Sequence, residues 1–129
     1  MKIIALGEFL QHKNFYVKEA EAGRIFVYPT DTIYGIGAIY NKENVEKIFA
    51  IKKRDTQKLF SIIAPSFERI GKNYESPLSN DELKIYMEKY HGITYIFRHD
   101  QPGVRIIKHP FQWFVEQLWK PFITTSCNI

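Results

Sequence analysis

Cysteine is almost absent from the chain: Cys127 is the only one among 129 residues. That excludes an intramolecular disulfide and a four-cysteine zinc site, and it makes a reducing cytoplasm the expected home. Long apolar runs are missing as well. No stretch approaches the ~20 residues needed to span a bilayer, and Met1 to Leu10 carries Lys2 and Glu8 without the pattern of a secretory leader, so no membrane association is expected. There is no repeat, low-complexity tract or Gly/Ser-rich linker. The length suits one domain, because compact domains cluster near ~100–150 residues. Catalytic signatures are equally scarce. The sequence holds no P-loop and no GxSxG elbow, and GIG at Gly35 to Gly37 is too little for a dinucleotide fingerprint. The four histidines, His12, His91, His99 and His109, lack HExxH spacing, so no metal site is expected from them.

What is present is an ordinary soluble composition with a basic balance. Hydrophobic residues make up 45% and charged ones 25%, which sets aside disorder, collagen and coiled coil. Eighteen Lys and Arg against fourteen Asp and Glu give a net charge of +4, which favours an anionic partner without naming it. Helical and extended patterns alternate along the whole chain, the mark of an α/β or α+β domain.

In chain order, Asn14 to Ala22 reads as a helix ended by Gly23, and Arg24 to Tyr28 as a strand stopped by Pro29. Asn44 is placed to cap a helix whose Val45, Ile48 and Phe49 share a face and which runs into Lys52. Leu59 to Ala64 reads as a buried strand, with a helical stretch from Ser66. Ser79 or Asn80 opens a further helix through Tyr90, with Gly92 as its stop. Ile93 to Arg98 and Val104 to Ile107 read as strands joined by a turn at Gln101, Pro102 and Gly103. His109 and Pro110 start a last helix with Pro at its first position. Its stripe of Phe111, Phe114, Val115, Leu118 and Trp119 reads as core, and Phe122 to Thr125 as a final strand.

Three segments could carry chemistry. The first is Tyr28 to Gly37, YPTDTIYGIG, a hydroxyl-rich loop after a strand. Thr30, Asp31, Thr32 and Tyr34 lie beside backbone that Gly35 and Gly37 leave open, and a plain polar turn explains the pattern equally well. The second is Lys52 to Lys58, KKRDTQK. Lys52 and Lys53 complement a helix C-terminus, whereas Arg54 and Lys58 lie past it, where a loop can offer a guanidinium fork and an ammonium to phosphate; a solvated charge cluster is the competing explanation. The third is Thr124 to Asn128, hydroxyls and an amide at a strand end, a common turn composition too. Arg105 adds a fourth signal. It sits inside the apolar run Val104 to Ile107, where a charge must reach solvent or find an anionic partner.

In order and spacing, GRIFVYPTDTIYGIGA, IFAIKKRDTQK, HGITYIF, VRIIKHP and TTSCN resemble the YrdC-like family of threonylcarbamoyl-AMP synthases over most of the chain from Gly23 to Asn128. The resemblance implies a single α/β domain over residues 1–129, with a twisted mixed sheet, flanking helices and a basic concave face. It also implies that the C-terminal part of the family domain is absent. The activity implied is condensation of L-threonine, bicarbonate and ATP to threonylcarbamoyl-adenylate and pyrophosphate, with Mg²⁺ accompanying ATP. The product would pass to a partner complex that modifies tRNA. By motif position, Lys52 and Arg54 would be catalytic, and Thr32, Arg105 and Thr124 would bind threonine. Arg54, Lys58, Ser126 and Asn128 would bind ATP. The alternative within the same fold is a module with little or no turnover that binds nucleotide or double-stranded RNA, tRNA included.

Overall fold

The structure, a computed structural model, describes residues 2–52, 60–73, 78–90 and 92–126. Its helices are α1 (Leu6–Gln11), α2 (Lys13–Glu21), α3 (Lys42–Lys52), α4 (Phe67–Asn73), α5 (Asn80–Lys89) and α6 (Phe111–Leu118). The strands are β1 (Phe26–Tyr28), β2 (Gly35–Gly37), β3 (Ser61–Ile63), β4 (Gly103–Arg105) and β5 (Phe122–Ser126). The strands form one mixed sheet in the order β1-β2-β5-β3-β4. Only β3 and β4 pair parallel; every other neighbouring pair is antiparallel.

Successive residues on a strand point to opposite faces, and register partners share one face, so the pairings sort the core into layers. Ile62 aligns with Val104 on β4 and with Ile123 on β5. Those three side chains meet α3, α4 and α5 through Ile48, Phe49, Ile70, Leu83 and Met87. Ile63 aligns with Phe122, and this opposite face packs on α1, α2 and α6 through Phe9, Tyr16, Phe114 and Leu118. The result is a sheet between two helical layers, the single α/β domain expected of the pattern.

Local chemistry sets most element ends. Gly23, at φ +87°, closes α2 in a Schellman turn: its N–H donates to the Ala20 carbonyl and that of Arg24 to the Glu19 carbonyl. Ser79 caps α5 with a reciprocal pair, its hydroxyl accepting from Glu82 N at 3.2 Å while the Glu82 carboxylate faces the Ser79 N–H at 3.4 Å. Ser79→Ala is therefore expected to cost about 1 kcal/mol, read as a lower midpoint in urea with an unchanged slope. A midpoint equal to that of the parent would show the cap to be idle.

Several expected details are corrected. The cap of α3 is Asn41, whose Oδ1 accepts from Asn44 N at 2.8 Å. Asn44 itself is buried in the first turn, its amide donating to the Ile39 carbonyl at 2.8 Å. Ile93 to Arg98 reduces to a single antiparallel bridge between Tyr95 and Val104, because β4 takes its continuous partner from β3. Trp119 is outside the α6 core stripe. It ends the helix in the left-handed conformation, φ 56°, and turns outward beneath the Arg69 guanidinium, 5.5 Å from its ring centroid. Two elements were not anticipated: α1, whose GEFLQ carries no side-chain cap, and β2, the GIG of the candidate loop.

Candidate functional site

β2 is a strand because of what its glycines leave out. A Cβ on Gly37 would stand 1.8 Å from the Ile123 carbonyl oxygen, and one on Gly35 would meet the Tyr28 ring at 2.9 Å. Glycine inside a strand often marks such a close approach. Here it lets the Tyr28 ring lie over β2, with its hydroxyl donating to the Ile123 carbonyl on β5 at 3.3 Å. The ring stacks on Phe111 with centroids 4.1 Å apart. Burial pushes the Tyr28 phenol well above its ordinary range, opposed by a hydrogen bond with Thr124 and by the positive charge of Arg105. It is thus a neutral hydrogen-bonding group at any physiological pH.

The site follows from the register of the sheet face that carries α6. One row across it holds Phe122, Ile63 and Arg105. The next holds Thr124, Ser61 and Gly103, and Ser126 aligns with Gly35. Along this face, large apolar residues under the helix give way to small and polar ones. Arg105, Ser61, Thr124, Ser126 and Gly35 floor a cleft of about 390 Å³ with Thr30, Thr32, Ile33, Tyr34, Phe60 and Gly92 around them.

The β1–β2 loop forms one wall. Thr30 Oγ1 donates to the Ile33 carbonyl at 2.6 Å and accepts from Thr32 N at 3.1 Å, which holds the loop as a hydroxyl-braced turn. A Cβ on Gly92 would meet the Thr32 methyl at 3.1 Å, so the turn after α5 abuts the same wall. Arg105 crosses from β4 into this loop. Its Nη2 donates to Asp31 Oδ1 at 3.1 Å and lies 3.4 Å from Thr32 Oγ1, while its buried Nε has no hydrogen-bond partner among the described residues. The pair is part-buried, with side chains 14% and 4% exposed for Arg105 and Asp31.

Thr32, Arg105, Thr124 and Ser126 thus share one cleft. Lys52, at the end of α3, approaches β5 from its end. Its ammonium donates to the Ser126 carbonyl and lies 3.4 Å from Ser126 Oγ and 3.5 Å from Thr125 Oγ1. Arg54, Lys58 and Asn128 lie outside the described residues. Ser61 escaped the sequence reading as a site residue, and Asp31 entered it only as one polar group of its loop, without its partner. The demand of Arg105 for an anion was the available signal for Asp31, but nothing in the local sequence singles out a carboxylate 74 positions away. Among the described residues no three His, Cys, Asp or Glu side chains are grouped to hold a metal, and no helix is long and apolar enough to cross a membrane.

These features define the class: an α/β domain with a polar cleft on one half of a sheet face, a guanidinium in its wall. The chain belongs to the Sua5/YciO/YrdC family, whose model, described as "Telomere recombination", matches residues 18–129. A relative from Methanocaldococcus jannaschii is 34% identical over all of this chain and 67% of its own length. Relatives from Pseudoalteromonas translucida and Vibrio campbellii, both named threonylcarbamoyl-AMP synthase, are 27% and 28% identical, over 83% and 91% of this chain and 66% and 73% of theirs. Among solved structures, Escherichia coli YciO aligns with a TM-score of 0.70 at 23% identity, over 90% of this chain and 63% of its own. Pyrococcus abyssi Sua5 complexed with L-threonine aligns at 0.68 and 19%, over 99% of this chain and 41% of its own. The chain therefore spans about two thirds of the length of the curated relatives it matches.

Proposed function

We propose that the protein is a threonylcarbamoyl-AMP synthase: the threonine amine and bicarbonate condense to a carbamate with loss of water, and the carbamate takes the adenylyl group of ATP with release of pyrophosphate. The names of its relatives support the reading, and one observation carries it. Arg105, held at Nη2 by Asp31, lines a cleft together with the hydroxyls of Thr30, Thr32, Ser61 and Thr124. A planar guanidinium with several donors suits a carboxylate in a way that a lysine does not. Thr32 and Thr124 stand in the same cleft to accept or donate to the amino acid, and Ser126 lies beside them for the nucleotide.

The chemistry asks for positioning and charge rather than an acid–base dyad. A carbamate oxygen attacks the α-phosphorus and pyrophosphate leaves, so an anion approaches a polyanion and the repulsion must be offset. In this reading Lys52, Arg54 and Lys58 supply cations, Asn128 assists Ser126, and Mg²⁺ arrives with ATP as part of the substrate. The product goes to a partner complex acting on tRNA, in the cytoplasm.

The deciding assay is pyrophosphate release by the purified protein, expected to require ATP, threonine and bicarbonate together. A folded protein giving none above background defeats the proposal, and salt-dependent RNA binding in its place would make the chain a nucleic-acid-binding module instead. Arg54→Ala is expected to slow the reaction by about 2–4 kcal/mol of barrier, the usual loss for one preorganised contact to developing charge. An unchanged rate would remove Arg54 from the site.

A further inference from the structure

We infer that Asp31 is a positioning residue, one that aims Arg105 into the cleft and so sets the affinity for the carboxylate-bearing substrate. The inference rests on the function proposed above. Asp31 is not itself part of the cleft lining; it acts through its neighbour. Its side chain is 4% exposed, and both oxygens are engaged by one downstream segment. Oδ1 accepts from Arg105 Nη2 at 3.1 Å, and Oδ2 accepts from the backbone N–H of Lys108 at 3.1 Å. One carboxylate thus ties the β1–β2 loop both to the end of β4 and to the turn leading into α6.

The geometry fixes more than a loop. A guanidinium is planar, so holding Nη2 at Asp31, with Thr32 Oγ1 at 3.4 Å, sets the direction of its remaining N–H groups. Nε, itself buried, has no acceptor among the described residues and so reports on how the group is held. Asparagine has the same shape but not the same pattern. Its carbonyl can accept from Arg105 or from Lys108, and its NH₂ then faces the other donor.

The test compares the parent protein with D31N and D31E. For D31N we expect a threonine KM raised about tenfold or more, with the ATP KM and the kcat at saturating threonine within about twofold of the parent. D31E should recover part of the threonine KM. A loss of folded protein would lower kcat and leave KM alone, so an unchanged threonine KM in D31N overturns the inference. A second readout needs no turnover, and separates this inference from the proposed function. The Arg105 Nε–H signal in a proton–nitrogen spectrum, assigned by its loss in R105K, should be sharp in the parent, exchange-broadened in D31N and regained in D31E. An unchanged signal in D31N overturns the inference whether or not an adenylate is made. If D31N does not fold, D31E supplies the same comparisons, with an intermediate KM expected and a parental KM and spectrum counting against it.

Discussion

Gly37→Ala is expected to cost about 3 kcal/mol or more, or to prevent folding, although it adds one methyl group. The added Cβ would stand 1.8 Å from the Ile123 carbonyl oxygen and 2.9 Å from its carbon. Neither belongs to a side chain that can swing away. β2 lies between β1 and β5, and β5 lies between β2 and β3, so relief requires moving the centre of the sheet. The displaced strand would carry Thr124 and Ser126 with it, so any folded fraction should lose its cleft as well. Gly7→Ala is the matched control. Nothing lies within 4 Å of a Cβ there, and Gly7 sits in α1, where alanine is favoured over glycine by up to ~1 kcal/mol. Thermal unfolding should show Gly37→Ala lower in Tm by ~10 °C or more and Gly7→Ala equal or slightly higher. A Gly37→Ala protein melting within ~2 °C of the parent would mean that β2 and β5 are farther apart than described.

That strand also shows where the sequence stops being legible. Periodicity placed α2, α3, α5, α6 and β5 within a few residues, since each buries a face spaced as its geometry requires. The start of α5 was open between Ser79 and Asn80, and the box closed by Ser79 and Glu82 makes Ser79 the cap. GIG could not be read as a strand. Its glycines are poor strand formers, and the reason for them is a Tyr28 ring and an Ile123 carbonyl that the fold brings close. The candidate site divides in the same way. An arginine in the run VRII must reach solvent or find an anion, and the loop YPTDT has polar groups to offer. That the two are partners depends on β4 coming to lie beside β3, with the β1–β2 loop within reach of its end.

Arg105→Ala should have the largest combined effect, through two losses that can be measured apart. The first is to stability. Asp31 is 4% exposed, and without the guanidinium it keeps the Lys108 N–H but loses the positive charge that offsets its burial. Breaking such a pair from one side typically costs about 3–5 kcal/mol, most of it the uncompensated charge. Removing both charges, as in Arg105→Ala with Asp31→Asn, should therefore cost less than Arg105→Ala alone, a sign reversal that only a coupled pair produces. The second loss is to substrate. In the proposed reaction the threonine carboxylate loses its fork, and pyrophosphate release should fall by about 10²–10³-fold in kcat/KM for threonine. Arg105→Lys separates the two. A lysine keeps a cation near Asp31 and preserves much of the stability, yet a point charge cannot present two parallel donors, so most of the loss of activity should remain. Urea unfolding and threonine titration of the same three variants decide the matter: stability restored in Arg105→Lys with activity still down supports a carboxylate site. Activity restored along with stability would make the Arg105–Asp31 pair a structural brace and nothing more.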